Sequence, residues 1–291
     1  MNIQWFPGHM TKTRRLITEN LKLVDVVIEL VDARLPMSSR NPEINAIVNQ
    51  KPRIVVLNKC DMADEEANRA WLDYFKQGGI PAMLLDSLTG RGMKNLTGLI
   101  DRVLKEKFER EAKKGMVRHS VRMMVVGIPN VGKSSFINRL SGRAAARTGD
   151  RPGVTMAKQW IRISGKYELL DTPGILWPKF EDEETAKRIA YTGGIKDEIM
   201  DIEGLCFSLL ALLREHYAKN LTERYKLDMD ISDMQGHEIL HAIGRKRGCV
   251  VSGGEIDTFR AASIVMDEFR AAKLGRITLE RPGDFEESGE I

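Results

Sequence analysis

The sequence predicts a doubly wound α/β domain with a mostly parallel sheet, followed by an all-helical domain. Three observations carry this. Short apolar, β-branched runs alternate with helix-spaced segments from Val24 to Leu170. Gly127 to Ser134 fits G-x-x-x-x-G-K-[ST] at every fixed position, between a strand and a helix. Beyond Trp177 strand signals give way to amphipathic helices. The expected boundaries are 1–177 for the α/β domain and 178–291 for the helical one.

In chain order, Met10 to Leu23 has helical spacing behind a polar-aromatic arm, and Val24 to Val31 reads as a strand closed by Asp32-Ala33-Arg34 and Pro36. Asn41-Pro42 carries the start signature of a short helix running through Val48. Arg53 to Leu57 is a second buried strand. Asp64 is placed to cap a helix through Trp71, Leu72 and Phe75 that stops at Gly78-Gly79. Ile80 to Leu85 is a third strand. Met93 begins a helix running to about Lys113, into a charged linker expected over Lys105 to Arg118. Arg122 to Val126 leads into the glycine-rich loop, and Ser135 onward continues with helical spacing. Lys158 to Ser164 and Tyr167 to Leu170 form a hairpin around Gly165. Thr185 to about Leu274 then reads as successive amphipathic helices. The last of these, Asp257 to Lys273, has Phe259, Ile264, Met266 and Phe269 as its apolar set, with Arg260, Arg270, Lys273 and Arg276 exposed.

Composition excludes several classes. The 291 residues are 42% hydrophobic and 30% charged, as in ordinary globular proteins. With 45 Lys+Arg against 41 Asp+Glu the net charge is only +4, so nucleic-acid binding would have to come from clustering. Cys60, Cys206 and Cys249 are far apart and form no C-x-x-C pair, which suggests free thiols in a reducing compartment. No apolar run reaches membrane-span length and no signal-peptide core is present. A cytoplasmic protein without membrane contact is expected.

The glycine-rich loop predicts a phosphate cradle. Backbone N–H groups at a helix start meet a dense anion without a competing side chain, and Gly127 and Gly132 let the chain come close. Asn130, Val131, Gly132, Lys133, Ser134 and Ser135 line this loop. Lys133 would set its ammonium against the β- and γ-phosphates, and the Ser134 hydroxyl would bind Mg²⁺. A second motif, Asn58-Lys59-Cys60-Asp61, follows a buried strand. A carboxylate at Asp61 can accept from guanine N1–H and the 2-amino group, and adenine has neither donor. The Lys59 stem can lie along the base, and Asn58 can tie this loop to the phosphate loop. Asp171-Thr172-Pro173-Gly174 is the third element. Asp171 would hold the Mg²⁺ water shell, and the Gly174 N–H would reach the γ-phosphate. Thr155 is the expected switch threonine sensing γ-phosphate and Mg²⁺, and Ser87 marks a second guanine-contacting loop.

These motifs resemble those of translation-factor-like GTPases in a changed order, with N-K-x-D and the serine loop ahead of the phosphate loop. That order, the arm W-F-P-G-H-M ending at Met10, the D-A-R-x-P turn from Asp32 to Pro36 and the stretch from Gly244 to Asp257 resemble the YlqF/RbgA family of ribosome-assembly GTPases. The resemblance implies a circularly permuted P-loop GTPase fold with a helical, RNA-binding C-terminal domain. It also implies GTP and GDP as ligands, Mg²⁺ as cofactor, and the large ribosomal subunit precursor with its rRNA as partner. A slow intrinsic GTPase, monomeric when free, is expected to be stimulated by the particle, its nucleotide state controlling association.

Position 175, after D-x-x-G, is isoleucine where many GTPases have a water-orienting glutamine. His9 is the candidate to orient or deprotonate that water. Asn130 matches the asparagine associated with potassium-assisted GTPases, and it also reads as a turn residue after Pro129. Arg245-Lys246-Arg247 is the candidate contact to phosphate backbone. Two other functions stay in view. Ile175 is compatible with an RNA-binding scaffold impaired in hydrolysis. His237-Glu238-Ile239-Leu240-His241 fits the H-E-x-x-H zinc peptidase pattern, although Arg247 stands at the next expected ligand position.

Overall fold

A computed structural model describes residues 18–40, 48, 51–116, 120–142, 159–164, 166–171, 183–195, 197 and 200–285, with backbone only at 159, 164 and 171. The chain forms two compact units, one of residues 1–181 and 280–291, the other of residues 182–279. The C-terminal segment thus belongs with the first unit, whereas the sequence pattern assigned it to the helical domain.

Six strands build the sheet of the first unit: β1 Val26–Asp32, β2 Arg53–Asn58, β3 Ala82–Leu85, β4 Val121–Val126, β5 Gln159–Ser164 and β6 Tyr167–Asp171. Their order is β3-β2-β1-β4-β6-β5, parallel throughout except for the antiparallel β5–β6 hairpin. β1 is central and wholly buried, which explains its unbroken apolar run. Its one interior charge, Glu29, is matched by Arg40 at 3.3 Å and Arg53 at 3.4 Å. Strand order reverses between β1 and β4, and the crevice at such a switch point is where a doubly wound sheet takes its ligand.

Helix α1, Glu65–Gln77, starts as predicted: the Asp64 carboxylate accepts from Ala67 N at 2.8 Å. It buries Trp71, Tyr74 and Phe75, with Trp71 edge-on to Tyr74 at 5.2 Å. Helix α2, Met93–Lys113, continues through most of the expected linker. It ends at Lys113 as the sequence pattern predicted, and pairs such as Lys105 with Glu109 and Lys107 with Glu111 have the i,i+4 spacing that supports a helix through this charged stretch. Helix α3, Lys133–Ser141, follows the glycine-rich loop.

The C-terminal segment is bound tightly into this unit. Glu280 is fully buried, and its carboxylate accepts from Met37 N at 2.8 Å and Ser38 N at 3.2 Å. The Trp71 indole donates to its carbonyl at 3.1 Å, and Phe285 packs on the same ring at 5.8 Å.

The second unit contains α4 Glu183–Tyr191, α5 Ile202–Tyr225, α6 Gly236–Lys246 and α7 Thr258–Arg270. Leu205, Leu209, Leu213, Ile239, Ile243, Val265 and Phe269 fill its core. Two expectations fail on α7. Phe259 is 60% exposed, because it lies in the first turn, and Ala261, Ala262 and Val265 join Met266 and Phe269 inside. Arg270 is not a free surface cation: it donates to the carbonyls of Ala190 and Tyr191, closing the end of α4, and pairs with Asp197. All three cysteines are free and buried, and burial pushes the Cys206 thiol up to about 12. No helix among the described residues is long and apolar enough to cross a membrane.

Candidate functional site

Three loops meet at the C-terminal ends of β4, β2 and β3. The glycine-rich loop is bent where the sequence demands. Gly127 (φ +158°) passes so close to β1 that a Cβ would lie 2.4 Å from Leu30 O. At Gly132 (φ +95°) a Cβ would lie 2.4 Å from the Asn58 amide nitrogen. A side chain at either position would push the loop open. Between them Asn130 takes the left-handed conformation (φ +61°), as a turn residue after Pro129 can.

Lys133, the first residue of α3, curls back into the loop. Its ammonium donates to Gly127 O at 2.8 Å and Ile128 O at 2.5 Å. Burial pushes its pKa down to about 7, against the two carbonyls, which favour the charged form. An anion in the cradle would offer this ammonium the opposite charge that the loop itself lacks. Ser134 and Ser135 are half-buried beside it, at the positive end of the helix.

Asn58 ties the loops together. Its amide donates to Val131 O at 2.7 Å. Its carbonyl oxygen accepts from Ser87 N at 3.0 Å and Ser87 Oγ at 2.7 Å. One buried side chain therefore joins the glycine-rich loop to the loop after β3. Asp86 shapes that second loop by accepting from Leu88 N at 2.8 Å and Thr89 N at 3.2 Å. Burial alone would raise its pKa, but the Thr89 and Leu88 hydrogen bonds and the Arg139 charge outweigh it and lower it. Arg139 of α3 also donates to Ser87 O at 3.3 Å.

Lys59 is left-handed (φ +60°) and bridges two elements: its ammonium donates to Asn130 O at 2.6 Å and to Asp32 Oδ2 at 2.9 Å. Asp32 is the last residue of β1, directly beside Asn58 in the sheet register. Burial would raise its pKa, yet Arg34 and Lys59 outweigh this and hold it well below the usual carboxylate range. The sequence motifs did not assign Asp32 or Arg34 a place at the site. The signal was the D-A-R-x-P turn, whose position in three dimensions no spacing reveals. Asp61, by contrast, is exposed and makes no side-chain hydrogen bond among the described residues.

The donor set suits a magnesium nucleotide. Ser134 supplies a hydroxyl at the helix start, and Asp171 closes β6, which pairs in parallel with β4 and so ends on the same edge of the sheet. His9, Thr155, Gly174 and Ile175 lie outside the described residues.

The H-E-x-x-H motif is used differently. Glu238 is the third residue of α6 and accepts from Gln235 N at 2.6 Å, one half of a capping box. His237 stands edge-on to Phe207 at 6.2 Å. In the basic run, Lys246 pairs with Asp228, and Arg247 donates to Glu268 at 2.9 Å over the Tyr225 ring. Arg245 alone of the three is exposed without a partner among the described residues.

Known proteins resemble this chain along its whole length. A family model described as 50S ribosome-binding GTPase matches residues 122–241. Ribosome biogenesis GTPase A of Bacillus cereus is 50% identical over 290 residues, covering 100% of this chain and 97% of that protein. The protein of the same name from Thermotoga maritima is 31% identical, covering 97% of this chain and 95% of its own. The GNP-bound YlqF structure from T. maritima superposes with a TM-score of 0.63 at 26% identity, covering 93% of this chain and 98% of that one. A GDP-bound YlqF structure gives 0.65 at 27%, covering 93% of this chain and 100% of that one. With half of its residues shared with a relative that it spans from end to end, and the permuted order of loops built into its sheet, the chain belongs to the ribosome biogenesis GTPase A family.

Proposed function

We propose that this protein is a GTPase that acts in assembly of the large ribosomal subunit, with guanine nucleotide held across the three loops at the β1/β4 switch point. The observation that carries this is the Asn58 amide, which locks the phosphate loop to the Ser87 loop, with Asp61 exposed at the end of the same N-K-x-D loop. An acceptor placed there pairs with guanine and would lie unpaired against adenine.

In this reading the backbone from Asn130 to Ser135 cradles the phosphates and Lys133 neutralises the β- and γ-oxygens. The Lys59 stem lies along the base, and Asn58 and Ser87 fix the loop that faces it. Ser134, Thr155 and Asp171 would hold Mg²⁺, which when bound would neutralise charge on the phosphate oxygens. Gly174 N–H reports the γ-phosphate, and His9 orients the attacking water that Ile175 leaves unheld. Asn130 supplies a potassium ligand. The exposed cations Arg245, Arg260 and Lys273 contact rRNA, and segment 171–175, which leads into the helical unit, makes that association depend on the nucleotide. The free protein is a monomer.

The test is phosphate release from GTP, with and without large-subunit particles, in matched potassium and sodium salts. Slow release that particles and potassium both accelerate supports the reading. No release under any of these conditions leaves an RNA-binding scaffold as the better account.

A pH dependence follows from Lys133. The free side chain titrates near 7, and the bound triphosphate requires ammonium, so binding above pH 7 takes up a proton. Affinity should fall as pH rises beyond 7, by up to about tenfold per pH unit. Titration calorimetry at pH 8 in buffers of different ionisation enthalpy should report this uptake, and the uptake should vanish at pH 6. Heats independent of the buffer at pH 8 would contradict it.

A further inference from the structure

We infer that Asp32, braced by Arg34, is a positioning residue for nucleotide binding: it holds the Lys59 ammonium where it clamps the base-facing loop onto the phosphate loop before nucleotide arrives. The inference rests on the guanine-site reading above and adds to it a residue that neither the nucleotide-binding motifs nor any ligand contact would reveal.

The geometry is specific. Asp32 accepts four hydrogen bonds within one buried cluster. Oδ1 takes Arg34 N and Arg34 Nε, both at 3.0 Å, and Oδ2 takes Arg34 Nη2 at 2.9 Å and Lys59 Nζ at 2.9 Å. The bidentate fork from Arg34 fixes the plane of the carboxylate. Asp32 and Arg34 are each 2% exposed, so neither can present a charge to nucleotide or solvent. The backbone beneath is fixed as well, since Asp32 N donates to Ser39 Oγ at 2.9 Å and Asp32 stands in register with Asn58.

Lys59 is the group that needs such a partner. A lysine stem has four rotatable bonds, and freezing them is entropically costly. Its residue is also held at φ +60°, a conformation a lysine seldom adopts unaided. The ammonium makes two bonds from this one position, one to β1 through Asp32 and one to the phosphate loop through Asn130 O. Removing the carboxylate leaves only the neutral carbonyl to hold it. Nucleotide would then have to order the loop itself, and apparent affinity falls with the fraction of protein already in the competent form.

Asp32→Asn keeps the shape and one acceptor but removes the charge. It is expected to weaken GDP and GTP by the same factor, about 10- to 30-fold, because the charge-assisted bond to Lys59 is lost and the competent population falls. The readout that separates positioning from general stability is a double-mutant cycle with Lys59→Met, measured with GDP well below the melting temperature. Lys59→Met should cost a similar factor, and adding Asp32→Asn to it should cost little more. If Asp32→Asn weakens GDP equally in both backgrounds, or leaves GDP affinity at the wild-type value, the inference is overturned. Should Asp32→Asn alone fail to fold because the buried Arg34 loses the carboxylate it forks onto, Asp32→Asn/Arg34→Gln removes both charges and carries the same expectations. Wild-type protein that binds no guanine nucleotide would refute the guanine-site reading itself. Wild-type binding with an unaffected Asp32→Asn would refute only this inference.

Discussion

Replacing His9 by alanine is expected to lower particle-stimulated GTP turnover by about 10²- to 10⁴-fold while leaving GTP affinity and particle binding intact. The reason is an absence: Ile175 cannot hydrogen-bond, so no side chain following D-x-x-G can orient the nucleophilic water. The motifs expected to bind phosphate and Mg²⁺ are otherwise all present in the sequence, and positioning together with proton handling is worth rate factors of that size. Single-turnover hydrolysis with saturating particles measures it. If His9→Ala is stimulated as strongly as wild type, the water is oriented by a group outside the N-terminal arm.

Glu280→Ala is expected to destabilise the first unit by about 2–4 kcal/mol, because it strands the Met37 and Ser38 N–H groups without their acceptor. In a unit of this size that corresponds to a fall in melting temperature of about 5–15 °C. Glu280→Gln keeps the oxygen that accepts from Met37 N but turns an amide donor toward the Ser38 N–H, and should fall in between. Thermal unfolding of the purified variants decides this. A melting temperature within 2 °C of wild type for Glu280→Ala, on the same scale, would show that the turn is held by other contacts.

Much of the fold was legible because its signals are local. Asp64 caps α1, Met93 opens α2, and β5 pairs antiparallel with β6 as the hairpin pattern predicted, since each depends on a few consecutive residues. The site loops were legible for a similar reason: G-x-x-x-x-G-K-S and N-K-x-D each have one backbone course that serves them, and the structure brings Asn58, Ser87 and Val131 together. What escaped the sequence is long-range. Glu280 meets Ser38 across 242 positions, and Lys59 meets Asp32 across 27 and Asn130 across 71. Arg270 carries the pattern of a surface cation, yet it closes a helix 80 positions earlier. Phe259 was misplaced for the opposite reason: its spacing from Met266 suits a helix face, but it sits in the first turn, outside the packed layer.

The proposed guanine site turns on the Asp61 carboxylate, which is exposed at the end of the loop that Asn58 begins. Equilibrium binding of GTP and xanthosine triphosphate to wild type and to Asp61→Asn tests it most directly. The amide exchanges a pure acceptor for a mixed donor and acceptor, which no longer matches guanine's two donors and suits xanthine's 2-oxo group. Asp61→Asn is expected to lose GTP affinity at least about tenfold and to gain xanthosine triphosphate. Unchanged GTP affinity in Asp61→Asn, with no gain for the xanthine nucleotide, would contradict it.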